Sequence, residues 1–119
     1  AVSLFWALDK ELDHVVAETM KGRYERHLAM AKFTRDWVAK YFAPFAEPGY
    51  ESVTLTTAAN SRNISVKDLN GELAKLGMQI SNGYGDLKEK TFRIAHMGDL
   101  TMDDMKEVTS AIVKVLKLG

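Results

Sequence analysis

Asn82-Gly83-Tyr84-Gly85-Asp86-Leu87-Lys88-Glu89-Lys90-Thr91-Phe92-Arg93-Ile94-Ala95-His96-Met97-Gly98 is the stretch that decides how this chain folds. Thr91 to Ala95 has the two-residue period of a strand, with Phe92 and Ile94 on one side and Arg93 on the other. Glycine-marked turns bound it on both sides. Working back, Met78 to Ser81 predicts a second strand, joined to the first by the loop from Asn82 to Lys90. Before it, Ser65 can cap a helix with Asp68 three residues on and Ile64 poised to staple onto Leu69, and that helix should stop at Gly77. Ser52 to Ala58 alternates Val53, Leu55 and Thr57 against Thr54 and Thr56, a third strand. Beyond Gly98, Thr101 and Asp104 repeat the capping arrangement, and Val108, Ala111, Ile112, Val115 and Leu116 carry an apolar helical face to the end.

Two helices should precede the sheet. Leu4, Phe5, Leu8, Leu12, Val15 and Val16 form one amphipathic stripe from Ser3 to about Glu18. A second helix, Thr19 to Phe42, follows a bend near Lys21-Gly22 and ends at Pro44 and Pro48-Gly49. The order is helix, helix, strand, helix, strand, strand, helix. A right-handed crossover makes the strands flanking the Ser65 helix parallel and leaves room between them for Thr91–Ala95, antiparallel to both. The expected fold is α+β: a small three-stranded mixed sheet with helices on one face, preceded by two helices. Val53, Leu55, Met78, Ile80, Phe92 and Ile94 should face the helices. Thr54, Thr56, Gln79, Ser81 and Arg93 should form a small, polar opposite face.

At 119 residues and 46% hydrophobic content, the chain should form one domain, 1–119, with one core. Sixteen basic residues balance sixteen acidic ones, so nothing draws nucleic acid or an anionic membrane. The absence of Cys removes disulfides, thiol nucleophiles and thiolate-held metals and is compatible with a reducing, cytoplasmic setting. No apolar run approaches the roughly 20 residues of a membrane span. The apolar start runs straight into Asp9-Lys10-Glu11 without a basic leader, unlike a secretory signal, and a start at Ala fits a fragment or a processed product.

Arg93 offers a planar fork that makes two hydrogen bonds to a carboxylate, held on a strand. By itself such an arginine is usually solvated or paired with a nearby acid. Gly83 and Gly85 permit unusual backbone angles or a close approach, and a hairpin loop alone explains them. His96 follows Arg93 closely enough to shape a cleft, although a structural histidine reads the same way. His14, His27 and His96 lack metal-ligand spacing, so no metal site is expected. Trp6, Trp37, Phe5, Phe33, Tyr41 and Phe42 fall at helical spacing and suit core or interdomain packing. Asp103 and Asp104 sit in the first turn of a helix, where capping and the helix dipole account for them.

The segment from Met78 to Gly98, with its strand, Arg93 and His96-Met97-Gly98 turn, resembles the carboxyl-terminal domain of class V pyridoxal-phosphate aminotransferases of the alanine–glyoxylate and serine–glyoxylate type. The likeness extends over the Ser3 to Leu8 helix, Arg23 to His27 and the capped last helix. It implies the small domain of the fold-type I aminotransferase fold, and an Arg93 that binds the α-carboxylate of a small amino acid or keto acid. Alanine or serine would be the donor, glyoxylate or pyruvate the acceptor, and the full-length protein a homodimer. It also implies that the large domain, which carries the cofactor lysine, the phosphate donors and most of the cofactor contacts, is absent, so that no catalytic residue lies in this chain. None of the eleven lysines follows the family's serine-rich turn, so the chain alone should neither hold pyridoxal phosphate nor transaminate. Relatives commonly have Gly-Gly-Leu-Gly where this chain has Asn82-Gly83-Tyr84-Gly85, which alters the finer shape of the pocket. Some relatives carry a soluble-hydrogenase label, for which a chain without Cys supplies no cluster thiolates. The alternatives are an independent noncatalytic ligand-binding or protein-interaction domain, or a lyase or desulfurase on the same scaffold.

Overall fold

The computed structural model describes residues 1–119, all of them. Helices α1 (Val2–Glu18) and α2 (Met20–Tyr41) lead into strands β1 (Ala43–Pro44) and β2 (Leu55–Ala59). Helix α3 (Val66–Ala74), strand β3 (Ser81–Asn82), a 3₁₀ turn at Gly85–Leu87, strand β4 (Thr91–Ala95) and helix α4 (Met102–Leu116) complete the chain. The sheet order is β1-β2-β4-β3, with every neighbouring pair antiparallel. β4 is therefore interior, between β2 and β3 as the crossover requires.

Three details of the sheet depart from expectation. It is antiparallel throughout rather than mixed, because β2 and β3, which run parallel, are kept apart by β4 and never pair. There are four strands, because Ala43–Pro44 pairs with Ala58–Ala59. Two residues cannot display an alternation, and a proline at a sheet edge loses no ladder bond. β2 also turns its other side inward. Thr56 and Ala58 are buried opposite Ile94 and Phe92, whereas Leu55 lies across from Ala95 on the far face. Ala58 is small opposite Phe92, whose ring meets Phe42 edge-on at 4.8 Å, and Thr56 bonds its hydroxyl to His96. Packing and a satisfied hydroxyl outweigh the hydropathy alternation there.

The strand expected over Met78–Ser81 shortens to Ser81–Asn82 because a side chain replaces part of a neighbouring strand. Asn70 accepts from Ile80 N and donates to Ile80 O, both at 2.9 Å. Ile80 thus keeps its buried side chain without a ladder partner. The α1–α2 break falls at Thr19, slightly before the expected bend. Thr19 stands at φ 68°, ψ 150°, and its hydroxyl accepts from Gly22 N at 3.1 Å. Ser65 caps α3 and Thr101 caps α4, the latter with the reciprocal Asp104 bond.

Phe92 and Ile94 form the centre of the core, with Met30 and Val38 of α2, Leu69 of α3 and Ile112 of α4. Each such side chain contributes about 1.5–3 kcal/mol when fully buried. Helix α1 stands outside this core. It has no buried residue, and Phe5 and Trp6 are 72% and 71% exposed, so they are not core aromatics of this domain. Its polar side makes the attachment instead. Glu18 takes Arg26 Nε at 2.5 Å and Arg23 Nη1 at 3.1 Å, and Arg26 reaches on to the carbonyls of Gly98 and Leu100. Arg26, with Arg23 behind it, pulls the Glu18 carboxyl down to about 2. The apolar stripe is left facing outward.

Candidate functional site

Arg93 projects from the interior strand β4 on the face opposite the core, with Thr57 and Ser81 directly across from it. Its neighbours are short, so the guanidinium has space. The side chain is half-buried, and Nη2 donates to the carbonyl of Asn82 at 3.1 Å. Its Nε is buried and has no hydrogen-bond partner. No carboxylate lies within ion-pairing distance of Arg93, whereas Arg23 and Arg26 are both held by acids. With Nε shut away and Nη2 anchored, Nη1 is the guanidinium nitrogen left without a protein partner and within reach of an anion from outside the domain. The three surface hollows, of 360, 330 and 500 Å³, are lined by other residues. Arg93 instead belongs to an open sheet face, which a second surface must cover to make a pocket.

The two glycines act on the loop beside Arg93, each for a different reason. A β-carbon on Gly83 would stand 1.9 Å from the carbonyl oxygen of Leu87, so the loop closes only on a residue without one. Gly85 has open space around it but a φ of +55°. His96 lies elsewhere. It is fully buried on the core side of the sheet, where Nε2 meets Thr56 Oγ1 at 2.8 Å, so it does not line the face that carries Arg93. The alternation Phe92, Ile94, His96 carried that information, and nearness in sequence to Arg93 concealed it.

His96 has a consequence for stability. Burial lowers its pKa from the ordinary 6.5, and the nearby charges of Arg35 and His27 push the same way. Backbone groups of Val53 and of His96 itself offset this in part without reversing it. The folded state therefore binds fewer protons than the unfolded one. His96's contribution is complete above about pH 6.5 and is lost as pH falls below it. Urea midpoints should drop between about pH 7 and 5, before the carboxylates titrate, and His96→Gln should flatten that drop. An equally steep drop in the variant would assign the effect to other groups.

Glu11, His14 and Asp99 bring three ligand atoms within 4.8 Å of one another. Arg23 already lies among them, 3.4 Å from Glu11 and 3.2 Å from Asp99, which accounts for the clustered charge. As a seat for pyridoxal phosphate the chain does not fit. All eleven lysines are exposed, and those that approach a hollow, Lys40 and Lys114, stand at the rim of an open groove. A cofactor lysine needs an enclosed site with opposing groups.

The interior-strand arginine thus stands on the open face of a small antiparallel sheet whose other face is covered by helices. The chain has the fold of the carboxyl-terminal domain of class V aminotransferases. It superposes on the alanine–glyoxylate aminotransferase of Nostoc with a TM-score of 0.87 at 22% identity, over 95% of this chain and 31% of that one. In sequence it is 36% identical over 100 residues to an uncharacterized aminotransferase of Methanocaldococcus jannaschii, covering 82% of this chain and 26% of that protein. It is 25% identical to the small subunit of a soluble hydrogenase of Synechococcus, over 97% of this chain and 30% of that one. The chain thus spans between a quarter and a third of the length of the curated relatives it matches. No family model matches it. No helix is long and apolar enough to cross a membrane.

Proposed function

We propose that this chain is the substrate-side domain of a class V pyridoxal-phosphate-dependent aminotransferase, and that Arg93 holds the carboxylate of a small amino acid and of the keto acid that follows it. The observation that carries this reading is the state of Arg93: on an interior strand, anchored through Nη2, unpaired with any acid and with Nη1 free of protein partners. Alanine or serine is the proposed donor and glyoxylate or pyruvate the acceptor. Cofactor chemistry belongs to a large domain outside this chain, which also covers the open sheet face. The contribution of the residues here is orientation, since a fixed carboxylate presents the α-carbon in one direction. The outward apolar stripe of α1 fits a domain that packs against a larger body, and the full enzyme is proposed to be a homodimer.

The test is an assay of the complete polypeptide that carries this chain, supplied with pyridoxal phosphate. One keto acid should appear for each new amino acid formed. Release of ammonia or sulfide without a second amino acid would make it a lyase. An intact protein that binds the cofactor and turns over none of these substrates would sink the transferase reading. The 119-residue chain alone, titrated with pyridoxal phosphate, should show no saturable absorbance band that maps to one lysine. Such a band at unit stoichiometry would contradict the assignment of the cofactor to another domain.

A further inference from the structure

Asn82 and Glu89 close the loop beside Arg93 through more bonds than a hairpin requires. Asn82 Oδ1 accepts from Gly83 N at 2.7 Å and from Glu89 N at 2.8 Å, and Asn82 Nδ2 donates to the Glu89 carboxylate. That carboxylate also accepts from the first amides of α3, Val66 N at 2.7 Å and Lys67 N at 3.2 Å. The Glu89 carbonyl accepts from Asn60 Nδ2 at 2.7 Å. All this is held although Glu89 stands at φ 61°, a left-handed conformation that disfavours a residue with a side chain. The Asn82 carbonyl is the group that Arg93 Nη2 leans on. A continuous line therefore runs from the start of α3 through the Glu89 carboxylate and the Asn82 carboxamide to the guanidinium.

We infer that Glu89, acting through Asn82, is a positioning residue for Arg93. The reading rests on Arg93 as the carboxylate site. Glu89 makes no direct ion pair with Arg93; its charge is taken up by Asn82 and the amides of α3, which hold its carboxyl below the usual range. A direct pair would compete with the substrate's own carboxylate. At one remove, the acid fixes the loop carbonyl and leaves the cation free.

The complete polypeptide provides the test, through steady-state kinetics with the amino donor in Asn82→Gly, Glu89→Ala, Glu89→Gln and Arg93→Lys. Asn82→Gly and Glu89→Ala should raise KM about three- to tenfold and leave kcat within about twofold, the pattern of lost ground-state positioning. Glu89→Gln retains an acceptor oxygen for Asn82 Nδ2 and should recover part of the loss. In the Arg93→Lys background, Glu89→Ala should add nothing further. Lower thermal stability with an unchanged KM would reduce Glu89 to a structural clasp and overturn the inference. Arg93→Lys without effect would remove the carboxylate site itself, a separate failure. Should Glu89→Ala fold poorly, hydrogen exchange of the Arg93 side-chain N–H in Glu89→Gln decides, with at least about threefold faster exchange expected and an unchanged rate counting against the inference.

Discussion

Gly83→Ala should be the most damaging single-methyl change in the loop that carries the site, at a cost of roughly 1–3 kcal/mol or more. The backbone angle is not the reason, since Gly83 is not among the residues with positive φ. The added carbon would lie 1.9 Å from Leu87 O, 2.5 Å from Leu87 C and 2.7 Å from Thr91 Oγ1. Two of these are backbone atoms, which cannot swing aside as a side-chain end can. The Leu87 carbonyl is further tied by Lys90 N at 3.0 Å, so relief requires the 3₁₀ turn to move. Movement there would weaken Gly83 N to Thr91 O, the bond that continues the β3–β4 pairing. Gly85→Ala has open space and meets only the left-handed φ, a cost of about 1–2 kcal/mol. Urea melts of the 119-residue chain should rank Gly83→Ala below Gly85→Ala and well below the parent. A Gly83→Ala midpoint equal to that of the parent would mean that the loop is softer than its contacts imply.

How much of this was legible in the sequence varies with the length over which a pattern repeats. The long helices, the caps at Ser65 and Thr101 and the interior position of Thr91–Ala95 follow from extended periodicity and local chemistry. The inward face of β2 did not, because Thr56 and Ala58 look less apolar than Leu55 until Phe92 and His96 are placed opposite them. Asn70 standing in for a strand at Ile80, and the Glu89–Asn82 line to Arg93, are side-chain contacts over gaps of 10 and 7 residues that no period announces. Arg93 itself was legible on both counts, as the polar residue of an alternating strand and as the arginine of a recognisable motif. Its freedom from any acid was not, since that depends on where all sixteen carboxylates come to rest. Helix α1 reads correctly as amphipathic, but hydropathy does not say that the polar side is the one joined to this domain.

Arg93→Lys should lower kcat/KM of the complete enzyme at least about tenfold, and Arg93→Ala more, with cofactor occupancy unchanged. Charge-assisted bonds of this kind are worth about 1.5–3 kcal/mol, and 1.4 kcal/mol is a factor of ten. Lysine keeps the charge but loses the fork. Its ammonium can occupy the Asn82 carbonyl or the substrate, whereas the guanidinium donates from Nη2 to Asn82 and still has Nη1 to offer. The fold gives little reason to expect collapse in either variant, because Arg93 faces away from the core that Phe92 and Ile94 fill and has no ion pair to leave stranded. Cofactor absorbance and thermal stability should therefore stay near those of the parent while donor and acceptor both bind or react poorly. Succinctly different outcomes separate the readings: loss confined to the amino acid with the keto acid unaffected would mean that the two carboxylates use different sites, and near-parental kcat/KM in both variants would take Arg93 out of the substrate site.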